Sequence, residues 1–313
     1  MIPKIEWATK RFLLCWIILE SISRVALAGD LYPPLGQVQA TNRVQINQQF
    51  IPGSTSGTLP WRIEESGSYV LTGNIKVTDP NYAGHGIEID ADVNDVTLDL
   101  NGFVIEGLPG SGDGIHVNFS GAGARNITIF NGSVRGWGDD GIEFDTTVGD
   151  AFVLRVTDVR VMSNSGDGIT MPIPGGGGLF LTHCMARGNG GTGFRIGGSS
   201  EVRECLVEDN GGDGIVCAGG CRIVDNLINR HCDGAGIHQV LGEHTLIQAN
   251  RLIAGRIRVD SPGNLIVQND VNLVPNCSSG PSYELAGSNT FGEIVSISNT
   301  GQIGANAWAN FQD

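Results

Sequence analysis

Four aspartates recur inside one short phrase. GSGDGI (110–115), WGDDGI (137–142), NSGDGI (164–169) and NGGDGI (210–215) put Asp113, Asp140, Asp167 and Asp213 at one point of a repeat, and Asp139 adds a second acid beside Asp140. Paired carboxylates are the working parts of glycoside hydrolysis, one as acid and the other as base or nucleophile. Carboxylates on neighbouring turns of a stacked chain would be about 5 Å apart at the backbone, and on alternate turns about 10 Å apart, which brackets the separations used by retaining and inverting enzymes. Asp113, Asp139, Asp140 and Glu143 are the candidate catalytic residues. His116, Asp167 and Arg195 are the candidate substrate-binding residues, the guanidinium being suited to a carboxylate or to developing negative charge. The competing reading is architectural. Asp in a tight turn caps backbone amides, glycines supply positive φ, and an acid repeated in four turns is what a turn rule produces. Only Asp139–Asp140 departs from that rule. Cation binding is a third use of the column, with calcium the weak candidate and no other cofactor indicated.

The elements that would hold these residues follow from the repeat. The second glycine of each phrase, weaker echoes AGHGI (83–87), GGTGF (190–194) and DGAGI (233–237) included, falls at 86, 114, 141, 168, 193, 214 and 236, so the steps are 28, 27, 27, 25, 21 and 22 residues. That period belongs to a solenoid and is too short for propeller blades. Gly-Gly and Asn-Gly break the chain too often for a helix in each repeat, and Ile and Val share the apolar positions with Leu, which favours strands. After each glycine the residues alternate. Ile87/Ile89, Ile115/Val117, Ile142/Phe144, Ile169/Met171, Phe194/Ile196 and Ile215/Cys217 form an inward stack, and Glu88, His116, Glu143, Thr170, Arg195, Val216 and His238 form an outward ridge. A second column, Asn101, Asn131, Asp158, Cys184, Cys205, Asn226, Asn250 and Asn269, suggests a side-chain ladder before the third strand of each coil. Strand spacing would bring Cys184 and Cys205 within reach of a disulfide, with two buried thiols as the alternative. The fold expected is all-β: a parallel β-helix of eight or nine coils over 66–274, an N-terminal segment and cap over 29–65, and a C-terminal coil and cap over 275–313, where Trp308 and Phe311 would plug the end.

Composition sets the setting. Glycine supplies 47 of 313 residues without a three-residue period, which excludes collagen, and aromatic residues are only 6%, which suits a solenoid core built of small and branched side chains. Residues 1–28 carry Lys4, Lys10 and Arg11, a short apolar run FLLCWIIL (12–19) and a small-residue site Ala26-Leu27-Ala28, the pattern of a secretory signal peptide. That run is too short to span a bilayer, so no membrane insertion is expected once the segment is removed. Its loss takes away four basic and two acidic residues and moves the net charge from −14 to −16. Such acidity argues against nucleic acid or an anionic membrane as partner and fits a neutral polysaccharide, cations or basic proteins. The expected location is secreted, periplasmic or cell envelope. Of seven cysteines six remain after position 28, and in that compartment disulfides outweigh metal binding.

Several stretches together, GSYVLTGNI, DVTLDLNGFVIEG, NITIFNGSVRGW, the GDGI coils, SPGNLIVQND and a terminal WANF, resemble the secreted bacterial right-handed parallel β-helix repeat proteins of the pectin-lyase-like superfamily. The resemblance covers about 61–313. It implies the fold, and it implies no single reaction, because the superfamily spans lyases, polygalacturonases, epimerases and tailspikes. GTGFRIGGSS (191–200) is similar to the polygalacturonase Gly-His-Gly loop but holds Thr192 at the histidine position, and Arg256-Ile257-Arg258 is similar to its Arg-Ile-Lys element with Arg for Lys. No pectate-lyase arginine motif or epimerase Asp-Pro-His-Asp is present. Two function classes follow. The favoured one is a non-catalytic extracellular or envelope protein whose ridge binds glycan or another surface component. The alternative is a polysaccharide hydrolase or lyase centred on Asp113, Asp139, Asp140 and Glu143, its groove over the longer coils at 85–180.

Overall fold

The alternation after each repeated glycine builds one face of a parallel solenoid. In the computed structural model, which describes residues 43–48, 59–91, 93–119, 125–145, 152–173, 178–231, 234–273, 281–296 and 309–312, ten short strands stack in sequence order from Trp61–Ile63 to Tyr283–Leu285, all parallel. The inward column runs Trp61, Ile87, Ile115, Ile142, Ile169, Phe194, Ile215, Ile237, Ile257, Tyr283. From Ile87 to Ile257 each of these side chains is fully buried. The outward column is Arg62, Glu88, His116, Glu143, Thr170, Arg195, Val216, His238, Arg258, Glu284 in the same register. Thr170 and Val216 are buried despite pointing outward; both are short side chains flanked in register by longer ones.

Among the described residues twenty further strands make the remaining faces. Two of them, Arg125–Arg135 and Phe152–Met162, run through a corner and join both faces. Pairing begins with Val44–Ile46 against Gly67–Leu71 and continues to Asn310–Gln312 against Asp270–Asn272. The core is one apolar cluster along the inside of these coils, within the compact unit Val44–Asp313. No helix among the described residues is long and apolar enough to cross a membrane. Residues 1–28, where a signal peptide is expected, and Trp308 lie outside the described residues.

The corners are tied by side chains. Asn226, Asn250 and Asn269 each place Oδ1 on the amide of the preceding coil: Cys205 N–H to Asn226 at 3.0 Å, Asn226 N–H to Asn250 at 3.1 Å, and Asn250 N–H to Asn269 at 3.0 Å. Asn310 closes the column on Asn269. Cys184 and Cys205 continue it with sulfur as a weak acceptor, Cys184 N–H meeting the Cys205 thiol at 3.4 Å. Both cysteines are buried free thiols, as are Cys217 and Cys221, so the bridge entertained for the first pair is not formed. The expected register of the column is one residue off at its start. Asn101, Asn131 and Asp158 sit at φ of 50°, 63° and 55°, in line with the left-handed residues Glu204, Asp225, Ala249 and Gln268 that precede the ladder. Asn and Asp are favoured at both positions, inward ladder and left-handed turn, so residue type alone did not separate them.

The repeated glycines are not where positive φ is needed. A Cβ on Gly86, Gly114, Gly141, Gly168, Gly193 or Gly214 would lie 2.4–2.6 Å from the carbonyl oxygen of the equivalent glycine one coil on. None of the six has positive φ. The glycine is demanded by close stacking of coils, a correction to the turn argument. Gly168→Ala is therefore expected to destabilise the protein by about 1–3 kcal/mol, the usual cost of overpacking, while Gly73→Ala, whose added Cβ meets nothing within 4 Å, leaves the thermal midpoint unchanged. Equal midpoints for the two variants by circular dichroism would contradict the stacking argument.

Candidate functional site

The aspartate column does two jobs with its two oxygens. Oδ1 of Asp113 accepts the Asp140 amide at 2.9 Å, Oδ1 of Asp140 accepts the Asp167 amide at 2.5 Å, and Oδ1 of Asp167 accepts the Thr192 amide at 2.5 Å. Asp213 repeats the bond with Ala235 at 2.6 Å. Each carboxylate thus staples its coil to the next. The residue before the next amide must be small, because a Cβ on Gly166, Gly191 or Gly234 would strike the Oδ1 above it. Asp139 occupies that place in its own coil, and there the staple is the longest of the four.

Oδ2 of each aspartate faces out, and here the coils differ. Asp167 takes the Arg195 Nε at 2.7 Å, and Arg195 also donates to the Thr192 hydroxyl at 3.0 Å. Asp213 holds His238 Nδ1 at 2.8 Å, whose Nε2 meets Asp260 at 2.9 Å. Asp113 holds His116 Nδ1 at 3.1 Å, and that nitrogen is also 3.0 Å from Glu143 Oε2. Among the described residues no cation reaches the outer oxygen of Asp140. Asp113, Asp139 and Asp140 each bring a carboxylate oxygen within 4.8 Å of the others.

His85 completes the cluster. It stands at the Asp position of the first echo, AGHGI, and its ring stacks on His116 with centroids 4.3 Å apart and planes 20° from parallel. His85 Nδ1 is 3.0 Å from both the Asp113 amide nitrogen and Asp113 Oδ2. Nδ1 without a hydrogen accepts the amide, and Nδ1 with one donates to the carboxylate; one nitrogen does not do both. Tyr82 fixes this turn by donating its hydroxyl to the His85 carbonyl at 2.6 Å.

The electrostatics follow the partners. Burial works against the charged form of Asp113, but hydrogen bonds from His116, His85 and the Asp140 amide hold it well below the ordinary carboxylate range. Bonds to Asp113 and Glu143 push His116 up to about 10 against the effect of burial. Asp140 goes the other way, up to about 7, because burial and the charges of Asp167, Asp113 and Asp139 outweigh its bond from the Asp167 amide. Asp139 is also raised, by burial first and by Asp113 next.

The structure brings Asp113, His116, Asp139, Asp140 and Glu143 together on adjacent coils, and pairs Asp167 with Arg195 beside them. Sequence reasoning missed His85, although its alignment with Asp113 in the repeat was the available signal. Thr192 spends its amide on Asp167 and its hydroxyl on Arg195, so no imidazole stands at that point of the ridge. His231 is buried, its ring facing the Gly212 carbonyl. Cys232 and Asp233 lie outside the described residues.

A raised carboxyl has a definite effect on stability. The folded state holds the Asp140 proton more tightly than the unfolded chain, so this group's contribution is most favourable below pH 4 and is lost as pH rises from about 4 to about 7. Asp140→Asn keeps an oxygen for the Asp167 amide and removes the charge. The variant should exceed the parent in stability by about 1–3 kcal/mol at pH 8, after allowance for partial exposure, and by much less at pH 4.5. Urea unfolding of both proteins in the presence of EDTA measures the gap; a gap independent of pH would contradict the assignment.

Full-length tailspike protein 2 of Escherichia coli O157:H7 bacteriophage CAB120 superposes at 14% identity with a TM-score of 0.42, over 82% of this chain and 42% of the tailspike. The enzymatically active domain of bacteriophage CBA120 tailspike protein 2 gives 12% identity and a TM-score of 0.34, over 74% of this chain and 39% of its own. The Dettilon tailspike protein gives 14% and 0.34, over 78% and 62%. The chain thus spans under half the length of the first of these. No curated protein matches the sequence. The family described as right handed beta helix region matches residues 85–252, more than half of the chain, and with ten parallel strands stacked in register on one face this protein belongs to the right-handed β-helix family.

Proposed function

We propose that this is an exported β-helix, released from its 1–28 leader into the extracellular space or the envelope, that binds a neutral glycan along its ten-stranded face. The observation that supports this most is the outward column itself. Nine of its ten positions, from Arg62 to Glu284, carry a hydrogen-bonding side chain, in strict register. Strand stacking repeats them every ~4.8 Å, comparable to the advance of one sugar ring along an extended chain. Donors and acceptors are interspersed along it, which suits hydroxyl groups. At one end a cleft of about 360 Å³ opens between Arg62, Glu64, Glu88, Asp90 and Asn118. The net charge of −14 disfavours nucleic acid, anionic membrane and polyuronate alike.

A second reading has its own support. The outer oxygen of Asp140 lacks a counter-ion among the described residues, and Asp113 and Asp139 each bring a carboxylate oxygen within 4.8 Å of the Asp140 carboxylate. That spacing is nearer the ~5–5.5 Å of retaining glycosidases than the ~6.5–9.5 Å of inverting ones. In a hydrolase of this kind Asp140 would carry the proton for the leaving oxygen, and Asp139 would be the second carboxylate.

One experiment separates the two. The secreted chain is passed over immobilised neutral and acidic polysaccharides, and reducing ends and unsaturated uronates are measured in parallel. Retention on a neutral glycan, weakened at least about tenfold in Arg62→Ala with Glu88→Gln and without product, is the expected result. Product that vanishes in Asp140→Asn would replace binding by hydrolysis. Neither retention nor product across the panel would overturn both.

A further inference from the structure

We infer that His85, Asp113, His116 and Glu143 form a binding site for one divalent transition-metal ion, zinc being the first to test. The residues come from three successive coils, and their ligand atoms follow one another in a chain of close contacts. His85 Nδ1 and Asp113 Oδ2 are 3.0 Å apart, Asp113 Oδ2 and His116 Nδ1 3.1 Å, and His116 Nδ1 and Glu143 Oε2 3.0 Å. Tetrahedral ligands bonded at 2.0–2.1 Å stand about 3.3 Å from one another, so each of these three contacts needs to lengthen by only a few tenths of an ångström, and the partly exposed Glu143 side chain reaches the other two residues by turning toward them. His85, Asp113 and His116 each offer a ligand atom within 4.8 Å of the others.

The supporting shell is already in place. Asp113 is held from the far side by the Asp140 amide on Oδ1, which aims Oδ2 at the histidines. Tyr82 holds the His85 turn. A Cβ on Gly112 would come within 2.9 Å of His85 Nδ1, so the missing side chain keeps that nitrogen open. Orientation of ligands by such outer contacts is typical of metal sites. The site is also reachable: the His85 and Glu143 side chains are each 30% exposed, while Asp113 at 2% anchors the floor.

Charge points the same way. Asp113, Glu143, Asp139 and Asp140 crowd this part of the ridge, and the nearby guanidinium of Arg195 is spent on Asp167. Two imidazole donors favour zinc-like ions over calcium, which takes six to eight oxygens. This moves the expected cation away from calcium and away from the acids alone. An ion here takes the His85 lone pair from the Asp113 amide, a bond given up in exchange for coordination. The inference stands apart from glycan binding, since metal uptake is measured without any saccharide.

The test uses the tag-free full chain, stripped with EDTA, dialysed and titrated with zinc chloride by calorimetry, with calcium chloride in parallel. One zinc per chain is expected, with affinity reduced at least about tenfold in His85→Ala and in His116→Ala and unchanged in His238→Ala, a histidine of the same ridge. Glu143→Gln, a change at an exposed side chain that no staple uses, should weaken binding with the fold intact by circular dichroism. X-ray absorption at the zinc edge should show nitrogen and oxygen donors only. No stoichiometric uptake, equal uptake of calcium, or loss in His238→Ala instead of the first two would overturn the site.

Discussion

The fold depends on how a side chain satisfies a backbone amide one coil away. Along the strands each amide finds a carbonyl on the next coil, as parallel pairing requires. At the corners the backbone turns and a side-chain oxygen takes over. Asn164, Asn189 and Asn210 do so at one corner, Asn164 and Asn189 accepting and donating in the same column. Asn226, Asn250, Asn269 and Asn310 do so at another, and Asn264 and Asn289 at a third, where Asn264 takes the Thr245 amide. A carboxamide can pass the bond along because it carries both a donor and an acceptor. Aspartate has no N–H to pass on, so its staple runs the opposite way, from the next coil's amide down to Oδ1.

The glycines follow from the same constraint. Coils stack at strand spacing only where nothing protrudes between turns, and the phrase G-D-G has one glycine on each side of the staple. The first clears the side chain or backbone of the coil above and the second clears the carbonyl below. High glycine content is thus a consequence of corner bonding. It also explains why an acid can recur in four coils without four active sites: one oxygen of each is structural, and only the other is available for chemistry.

The sequence made the solenoid legible because strand alternation has period two and the core positions take only apolar residues. Every inward pair from Ile87/Ile89 to Ile215/Cys217 is buried as expected. The ladders were harder to read. Asn164 and Asn210 begin phrases that hold an aspartate and Asn189 begins the echo with Thr192, yet polar residues beside glycine read as turn whether they face in or out. Asn131 and Asp158 entered the wrong column for a related reason, since a left-handed turn and a ladder attract the same residue types one position apart. Within the site, Asp113, His116 and Glu143 were visible from register. His85 was not, because it replaces the aspartate that marked the column.

That replacement is what turns a staple into a site. Where Asp140 and Asp167 follow one another, each carboxylate meets only the amide of the next coil on its inner side. Where His85 precedes Asp113, the column has an imidazole in place of an acid, and a second imidazole, His116, rises from the outward strand to stack on it. The buried carboxylate of Asp113 then faces two bases and Glu143 across a few ångströms. Lone pairs gathered this closely are stable only around a positive charge, whether a proton or a metal ion. With only His116 protonated, that charge offsets one of the two carboxylates that flank it, while Asp139 and Asp140 add to the imbalance. A divalent ion offsets both, which is why the first coils, with their extra acids, are the part of this ridge where repetition gives way to chemistry.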